Sequence, residues 1–302
     1  MEKVRNAALG SRTALALGNF DGLHRAHMKI IENCISISKE RGIKSGVMLF
    51  SKHTLEVLGA NVELLMKEKD KLCILQDAGL DFAYIKDIDS RFMHLSPKEF
   101  ATMLKNDLNP EVLCVGYDYR FGYKAQGDIN TLKELGRELG FDVVVTDEVM
   151  YQGVPIKSTR VRECVKSGDV ELAEKLLGRR FALSGKVVEG YQNGRKIGVP
   201  TANLEIPSGV VVPKFGVYAC KANIDGKSYP AVANVGIRPT VSGTGITVEP
   251  WMLDFEGDLY GCEIRLEFYR FLRPETKFDS LTALQQQIHE DAAATRQYFE
   301  NQ

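Results

Sequence analysis

At Arg179-Arg180 the texture of the chain changes, and that change restricts the fold more than any composition figure does. The residues before it alternate short apolar runs with longer helix-like segments, the pattern that generates a mostly parallel sheet covered by helices. Strands are predicted at Thr13–Leu17, Ser45–Phe50, Phe82–Ile85, Val112–Val115 and Phe141–Val145. Among the intervening segments, Ser96-Pro97-Lys98-Glu99 joins an N-cap serine, a proline at the first helical position and a glutamate three residues after the cap, so a helix starts there. Asp169 opens and Gly178 closes a second helix with apolar positions Leu172, Ala173, Leu176 and Leu177. Beyond the two arginines, Val-rich and Tyr-rich runs are broken by glycine turns, Asp225-Gly226 among them, as a compact antiparallel barrel requires. Helical spacing returns only at the end, where Leu281, Leu284, Ile288, Ala292 and Phe299 fall near one face.

A length of 302 residues fits two domains rather than one. No repeat or low-complexity linker separates them, so the expected division is 1–180 and 181–302, with a tight join near 179–183. Lys plus Arg number 39 against 40 Asp plus Glu, a formal charge of −1 that offers no field for drawing in a nucleic acid or an anionic membrane. The six cysteines, at Cys34, Cys73, Cys114, Cys164, Cys220 and Cys262, have no partner at metal-site or thioredoxin spacing and read as buried free thiols. The opening MEKVRNAALGSR lacks the apolar core of a secretory signal and no stretch is long enough to cross a bilayer, so a cytoplasmic protein is expected.

Two segments of the first half carry phosphate chemistry. Leu15 to His27, reading LALGNFDGLHRAH, ends a strand, turns on Gly18 and Gly22 and enters a helix with His24 and His27 three residues apart. Glycines admit close backbone approach, the helix start offers N–H groups and a positive dipole end, and the imidazoles can donate to phosphate oxygens. The plain alternative is that both histidines face solvent or pack in the first turn. The second segment, Ile156-Lys157-Ser158-Thr159-Arg160-Val161-Arg162, sets hydroxyls and two arginines just before a helix, where they can hold phosphates from the opposite side.

Together these segments resemble the HxGH and serine/arginine motifs of the nucleotidyltransferase superfamily. Gly116-Tyr117-Asp118-Tyr119-Arg120-Phe121-Gly122 is similar to the G-x-D-x-x-F-G segment of the FAD synthetase module in prokaryotic bifunctional riboflavin kinase/FMN adenylyltransferases. The resemblance implies a Rossmann-like α/β module that transfers AMP from ATP to FMN, with His24, His27, Arg160 and Arg162 neutralising charge. It implies that Gly18, Asn19, Phe20, Asp21, Asp118, Ser158 and Thr159 shape the nucleotide and flavin pockets. Three positions depart from the family pattern: Ala26 replaces the glycine of HxGH, Phe50-Ser51-Lys52-His53-Thr54 lacks the usual acidic residue and prolines, and Lys157 stands where a serine is common. The Lys157 cation either helps to bind triphosphate or fills the site.

In the second half, Gly190-Tyr191-Gln192-Asn193-Gly194-Arg195-Lys196-Ile197-Gly198-Val199-Pro200-Thr201-Ala202-Asn203 sets three glycines at four-residue spacing ahead of a hydroxyl and an amide on one side of an extended run. It resembles the PTAN motif of riboflavin kinases, followed at family-like spacing by NVGIRPT at 234–240, Glu249 and DFEGDLYG at 254–261. The resemblance implies a six-stranded antiparallel barrel with a terminal helix, in which Gly190, Gly194, Gly198 and Pro200 line the ATP site. Thr201 and Asn203 are then the Mg²⁺ ligands, suited to a hard cation that also keeps waters. Glu249 matches the catalytic base that takes the proton of the riboflavin 5′-hydroxyl; strand alternation alone would make it a solvent-facing residue. Near the terminal helix, Phe268 and Phe271 read as core, and Arg273 as a ligand whose fork of donors suits a phosphate or ribityl group.

Expected partners are riboflavin, FMN and ATP, without nucleic acid or membrane, for a monomer or weak homo-oligomer. One alternative keeps the kinase and makes the first half a non-catalytic flavin or nucleotide sensor. Another, a tRNA-binding relative of class I synthetases, fits poorly with a short, neutral chain that has no basic stripe.

Overall fold

In β2 (Thr13–Leu17) all five residues are buried, as the central strand of a sheet covered on both faces must be. The computed structural model describes residues 1–52, 57, 59, 62–189, 198–240 and 243–301. Cα proximity groups them into two units, Met1–Ser158 and Thr159–Gln302.

The first unit holds a six-stranded parallel sheet in the order β1-β4-β3-β2-β5-β6, built from β1 (Glu2–Arg5), β2, β3 (Lys44–Phe50), β4 (Phe82–Lys86), β5 (Pro110–Gly116) and β6 (Asp142–Thr146). The five predicted strands are all present, within two residues at each end. Side chains alternate between two cores, as the period of a strand dictates. Ala14 and Ala16 pack with Ile30, Ile31 and Cys34 of α1 (Arg25–Arg41) and Leu75 of α2 (Glu68–Asp77). Leu15 and Leu17 face the opposite core, with Phe100 and Leu104 of α4 (Pro97–Leu108) and Leu132 of α5 (Ile129–Leu139). A single turn, α3 (Ser90–Met93), precedes α4.

The predicted capping box is formed: the Ser96 side chain accepts from Glu99 N, and Glu99 Oε2 accepts from Ser96 N at 2.7 Å, an arrangement worth about 1 kcal/mol. Gly46 shows a tighter requirement. It is the register partner of Phe82, and a Cβ there would stand 2.1 Å from the phenyl ring.

The second unit begins with α6 (Ser158–Ser167), which opens on the last residue of the first, and continues with α7 (Val170–Leu177). Asp169 caps α7 through Leu172 N, and Gly178 ends it in the left-handed region at φ 77°. Next comes a closed antiparallel barrel in the order β10-β13-β12-β11-β14-β9. Its strands are β9 (Phe181–Val188), β10 (Asn203–Glu205), β11 (Gly216–Ile224), β12 (Lys227–Thr240), β13 (Gly243–Met252) and β14 (Glu263–Arg273). Asp225 and Gly226, at φ 48° and 79°, make the two-residue turn between β11 and β12, with the twist that antiparallel strands favour. The remaining pair, β7 (Met150–Tyr151) and β8 (Val154–Pro155), is a small hairpin of the first unit.

Two expectations are corrected. On α8 (Leu281–Glu300) the predicted apolar face does not form as a unit: Leu281 is 70% exposed, whereas Asp291, Ala292 and Thr295 are buried. Ala292 packs with Val217, Val232 and Leu253 on the outside of the barrel, so a polar residue shares the docking face. The cysteines are all free, as expected, but Cys73 is exposed and Cys262 half-buried. Cys73 lies on the outer side of α2, where a thiol serves as well as any small residue.

Candidate functional site

In open parallel sheets, ligands bind outside the carboxyl ends of the strands where the chain order reverses. Here β2 lies between β3, which follows it, and β5, reached only after β4. The loops leaving β2 and β5 are therefore neighbours at the switch point, and they carry the two predicted motifs, Gly18–Leu23 and Gly116–Gly122.

The first loop is strained. Phe20, Gly22 and Leu23 all take positive φ, at 47°, 80° and 42°, and Phe20 and Leu23 are fully buried. Non-glycine residues in this region cost of order 1–3 kcal/mol and persist where packing over-determines them. Gly22 has no alternative: besides its φ, a Cβ would lie 2.5 Å from Leu65 Cδ1. Asp21, 2% exposed, ties the loop down in two directions, its carboxylate accepting from Leu65 N at 3.0 Å and its carbonyl from Ser158 Oγ at 2.9 Å. Ser158 of the 156–162 segment is thereby brought to this loop. Asn19 is exposed beside it.

His24 is the N-cap of α1, and its Nδ1 accepts from His27 N at 3.3 Å. That bond requires an unprotonated Nδ1, so a neutral ring carries its proton on Nε2, the nitrogen able to donate. The His24 and His27 rings stack at 3.6 Å, and Phe20 meets His27 edge-on at 5.3 Å. Both predicted imidazoles thus stand together at a helix start. Ala26 is half-buried in the same turn.

On the β5 side, Asp118 Oδ2 is 3.3 Å from Lys157 Nζ, and Lys157 lies 5.7 Å over the Tyr117 ring. Tyr117 in turn donates to Glu148, which pushes its pKa up, while Tyr117 and Asp118 raise that of Lys157. Lys157 is a surface cation closed on Asp118. Arg160 and Arg162 lie on α6 rather than before it, since the helix already begins at Ser158, and both are half-buried; two residues apart, they project roughly 200° from each other. Arg162 follows Ser158 by about one helical turn and shares its face. Thr159 is exposed. His53 and Thr54 lie outside the described residues.

Sequence reasoning overlooked Lys71. Its Nζ donates to the Asn19 carbonyl at 3.4 Å, and burial lowers its pKa against the opposing pull of Asp21 and Glu68. Within KEKDK, one cation of a charged run looks like any other on a solvated face.

The barrel assembles the second site through register. Ala202 and Leu204 are buried, so Thr201 and Asn203 present to the other side of the extended run, as expected. Leu204 pairs with Val248 and Ala202 N donates to the Pro250 carbonyl at 2.9 Å, so Asn203 lies across from Glu249. Glu249 pairs with Asn234, Asn234 with Val217, and Val217 with Arg273. One row crossing five strands thus runs Asn203, Glu249, Asn234, Val217, Arg273 over the outer face of the barrel. Glu249 is 7% exposed, so alternation alone misjudges it.

Arg273 is held as a fork: Nε and Nη2 donate to the buried Asp291 at 3.0 and 2.8 Å, and Nη1 to the Pro274 carbonyl at 3.2 Å. Phe268 is fully buried and Phe271 half-buried, both edge-on to Tyr218. Gly198 takes φ 73° with open space around it, and Pro200 is exposed. Gly190 and Gly194 lie outside the described residues. Among the described residues no group of three His, Cys, Asp or Glu is placed to hold a metal, and no helix is long and apolar enough to cross a membrane.

Comparison with known proteins agrees with this division of labour. A family model described as FAD synthetase matches residues 7–160, and one described as riboflavin kinase matches 177–299. The bifunctional riboflavin kinase/FMN adenylyltransferase of Escherichia coli strain K12 is 38% identical over 289 residues, covering 94% of this chain and 92% of its own. The protein of that description from Bacillus subtilis is 34% identical over 298 residues, covering 96% and 94%. A crystal structure described as a macrolide-efflux protein from Streptococcus pneumoniae superposes with a TM-score of 0.89 at 28% identity, covering 98% of this chain and 99% of that one.

Proposed function

The chain belongs to the bifunctional riboflavin kinase/FMN adenylyltransferase family, and from that premise we propose how its residues divide the work. It is an enzyme of flavin cofactor synthesis: riboflavin and ATP give FMN and ADP, and FMN with a second ATP gives FAD and pyrophosphate. The sensor alternative is set aside, because both family models match and the relatives are described as bifunctional. The functional division is placed at 1–180 for adenylyl transfer and 181–302 for the kinase.

In the barrel, Glu249 accepts the proton of the riboflavin 5′-hydroxyl as that oxygen attacks the γ-phosphorus. The observation that carries this reading is the row that sets a buried carboxylate opposite Asn203. A positioned base contributes about 10²–10⁴-fold. Thr201 and Asn203 offer neutral hard oxygens, a set that fits Mg²⁺ when ATP phosphates and waters complete the shell. The metal would neutralise phosphate charge there. Gly198 and Pro200 line the ATP side, and Arg273 reaches the flavin with N–H groups beyond those that Asp291 occupies.

In the first unit, the FMN phosphate attacks the α-phosphorus in line and pyrophosphate leaves. Such chemistry asks for positioning and charge neutralisation rather than a covalent intermediate. His24 and His27 donate to the phosphates from the start of α1, while Gly18, Asn19, Phe20 and Asp21 form the turn beneath them. Ser158, Thr159, Arg160 and Arg162 act from α6, with Arg162, on the face of Ser158, in the leading role. Asp118 borders the flavin. The protein works in the cytoplasm as a monomer or weak homo-oligomer.

The test is a time course of purified protein with riboflavin, excess ATP and Mg²⁺, with the flavins separated by chromatography. FMN precedes FAD in the wild type; Thr201→Ala stops both, and His27→Ala stops only the second. FMN accumulating without FAD in the wild type, even when FMN is supplied, would refute the adenylyl-transfer assignments. Absence of both products would refute the whole scheme.

A further inference from the structure

Against Asn234, the register partner of Glu249, stands a second carboxylate that the kinase reading leaves without a task. After β14 the chain turns at Pro274 and lays Glu275 back over β12. Asn234 Nδ2 donates to Glu275 Oε1 at 3.1 Å. Gly236, two residues along β12 on the same face, makes the room: a Cβ there would stand 2.2 Å from that oxygen. An ionised carboxylate only accepts, so Asn234 must turn its NH₂ toward Glu275, and its carbonyl oxygen points away. Asn234 is the register partner of Glu249, and directly opposed residues stand side by side on one face of a sheet, about 5 Å apart.

We propose that Glu275 is a positioning residue for riboflavin phosphorylation: by holding the NH₂ of Asn234, it presents the Asn234 carbonyl oxygen to Glu249. The inference rests on Glu249 being the base. In the step, the 5′-hydroxyl O–H bond breaks as the new O–P bond forms at the γ-phosphorus. The bond to the β–γ bridging oxygen breaks, its electron pair leaves on ADP, and the proton ends on Glu249. The new Glu249 O–H then donates to Asn234 Oδ1, which favours proton capture. The other described charges at this row are Arg273 on β14 and Asp291 on α8, which bind one another.

The experiment follows kcat for riboflavin phosphorylation against pH in the full-length protein, for wild type, Glu275→Gln and Gly236→Ala, with Glu249→Gln alongside. Glu275→Gln keeps size but removes the charge and lets the Asn234 amide flip. Gly236→Ala displaces the carboxylate without altering its charge. Both are expected to move the acid limb of kcat down by about half a pH unit or more and to lower the plateau about three- to tenfold. KM for ATP and FAD formation from supplied FMN stay at wild-type values. An unmoved acid limb in both variants, whether or not kcat falls, overturns the proposal and leaves Glu275 a structural prop. Should Glu249→Gln itself phosphorylate riboflavin normally, the base assignment fails first. Loss of activity in Glu249→Gln with unmoved limbs in the other two defeats this inference alone.

Discussion

Replacing Asp291 by alanine tests whether the terminal helix is held by an ion pair or by its apolar contacts. Asp291 is 5% exposed and receives two parallel N–H bonds from Arg273, with a third from Gln287 Nε2 at 3.3 Å. The apolar patch beneath the helix is small, with Ala292 its only buried hydrophobic residue from α8. Removing one partner of a buried pair leaves the other charge uncompensated, which costs about 3–5 kcal/mol when water is excluded. The Arg273 side chain keeps 20% of its exposure, so it recovers part of that, and about 2–3 kcal/mol is expected. At about 2–4 °C per kcal/mol, the transition of the barrel unit should fall by about 4–12 °C by calorimetry. The double replacement Arg273→Met/Asp291→Leu should recover most of that stability, because buried pairs exchange for apolar ones at little cost, while riboflavin phosphorylation stays impaired. A loss below about 0.5 kcal/mol for Asp291→Ala would mean that the pair behaves like an exposed one and would refute the reasoning.

Gly46→Ala should destabilise the first unit by about 1–3 kcal/mol through overpacking against Phe82, read by urea denaturation; an unchanged midpoint would show that the ring moves aside freely. Lys71 makes stability depend on pH. Its folded pKa lies below the ordinary lysine value, so between the two the unfolded chain binds the extra proton and stability rises with pH. Lys71→Met should flatten that rise on the alkaline side, and denaturation midpoints from neutral pH to about 10.5, the ordinary lysine value, measure it.

Much of this architecture is legible in the sequence because its devices are local. The strand runs, the Ser96 capping box, the Asp169 cap with Gly178, and the Asp225-Gly226 turn each need only a few neighbouring residues. The edge strand Glu2–Arg5 was missed because Val4 is its only buried residue, which leaves no alternation to detect. Leu281 misled because helical periodicity finds a face without saying how much of it is covered. The motif residues announce themselves through a few neighbours, whereas the contacts of Lys71 with Asn19 and of Glu275 with Asn234 span long stretches of chain, and neither has a local signature. Asp291 was hidden for a related reason: a carboxylate on a helix reads as solvent-facing until its arginine is located.

The barrel row has a consequence for how this enzyme tolerates change. Asn203, Glu249, Asn234 and Arg273 are aligned by the strand pairing that also turns Leu204, Val248 and Val235 inward. A one-residue shift of β13 against its neighbours would carry Glu249 into the core and Val248 out to solvent together. On the proposed role of Glu249, insertions or deletions within these strands cannot trade activity for stability, since each would lose both at once. Variation in length is confined to the connections, and drift along the strands is confined to substitution.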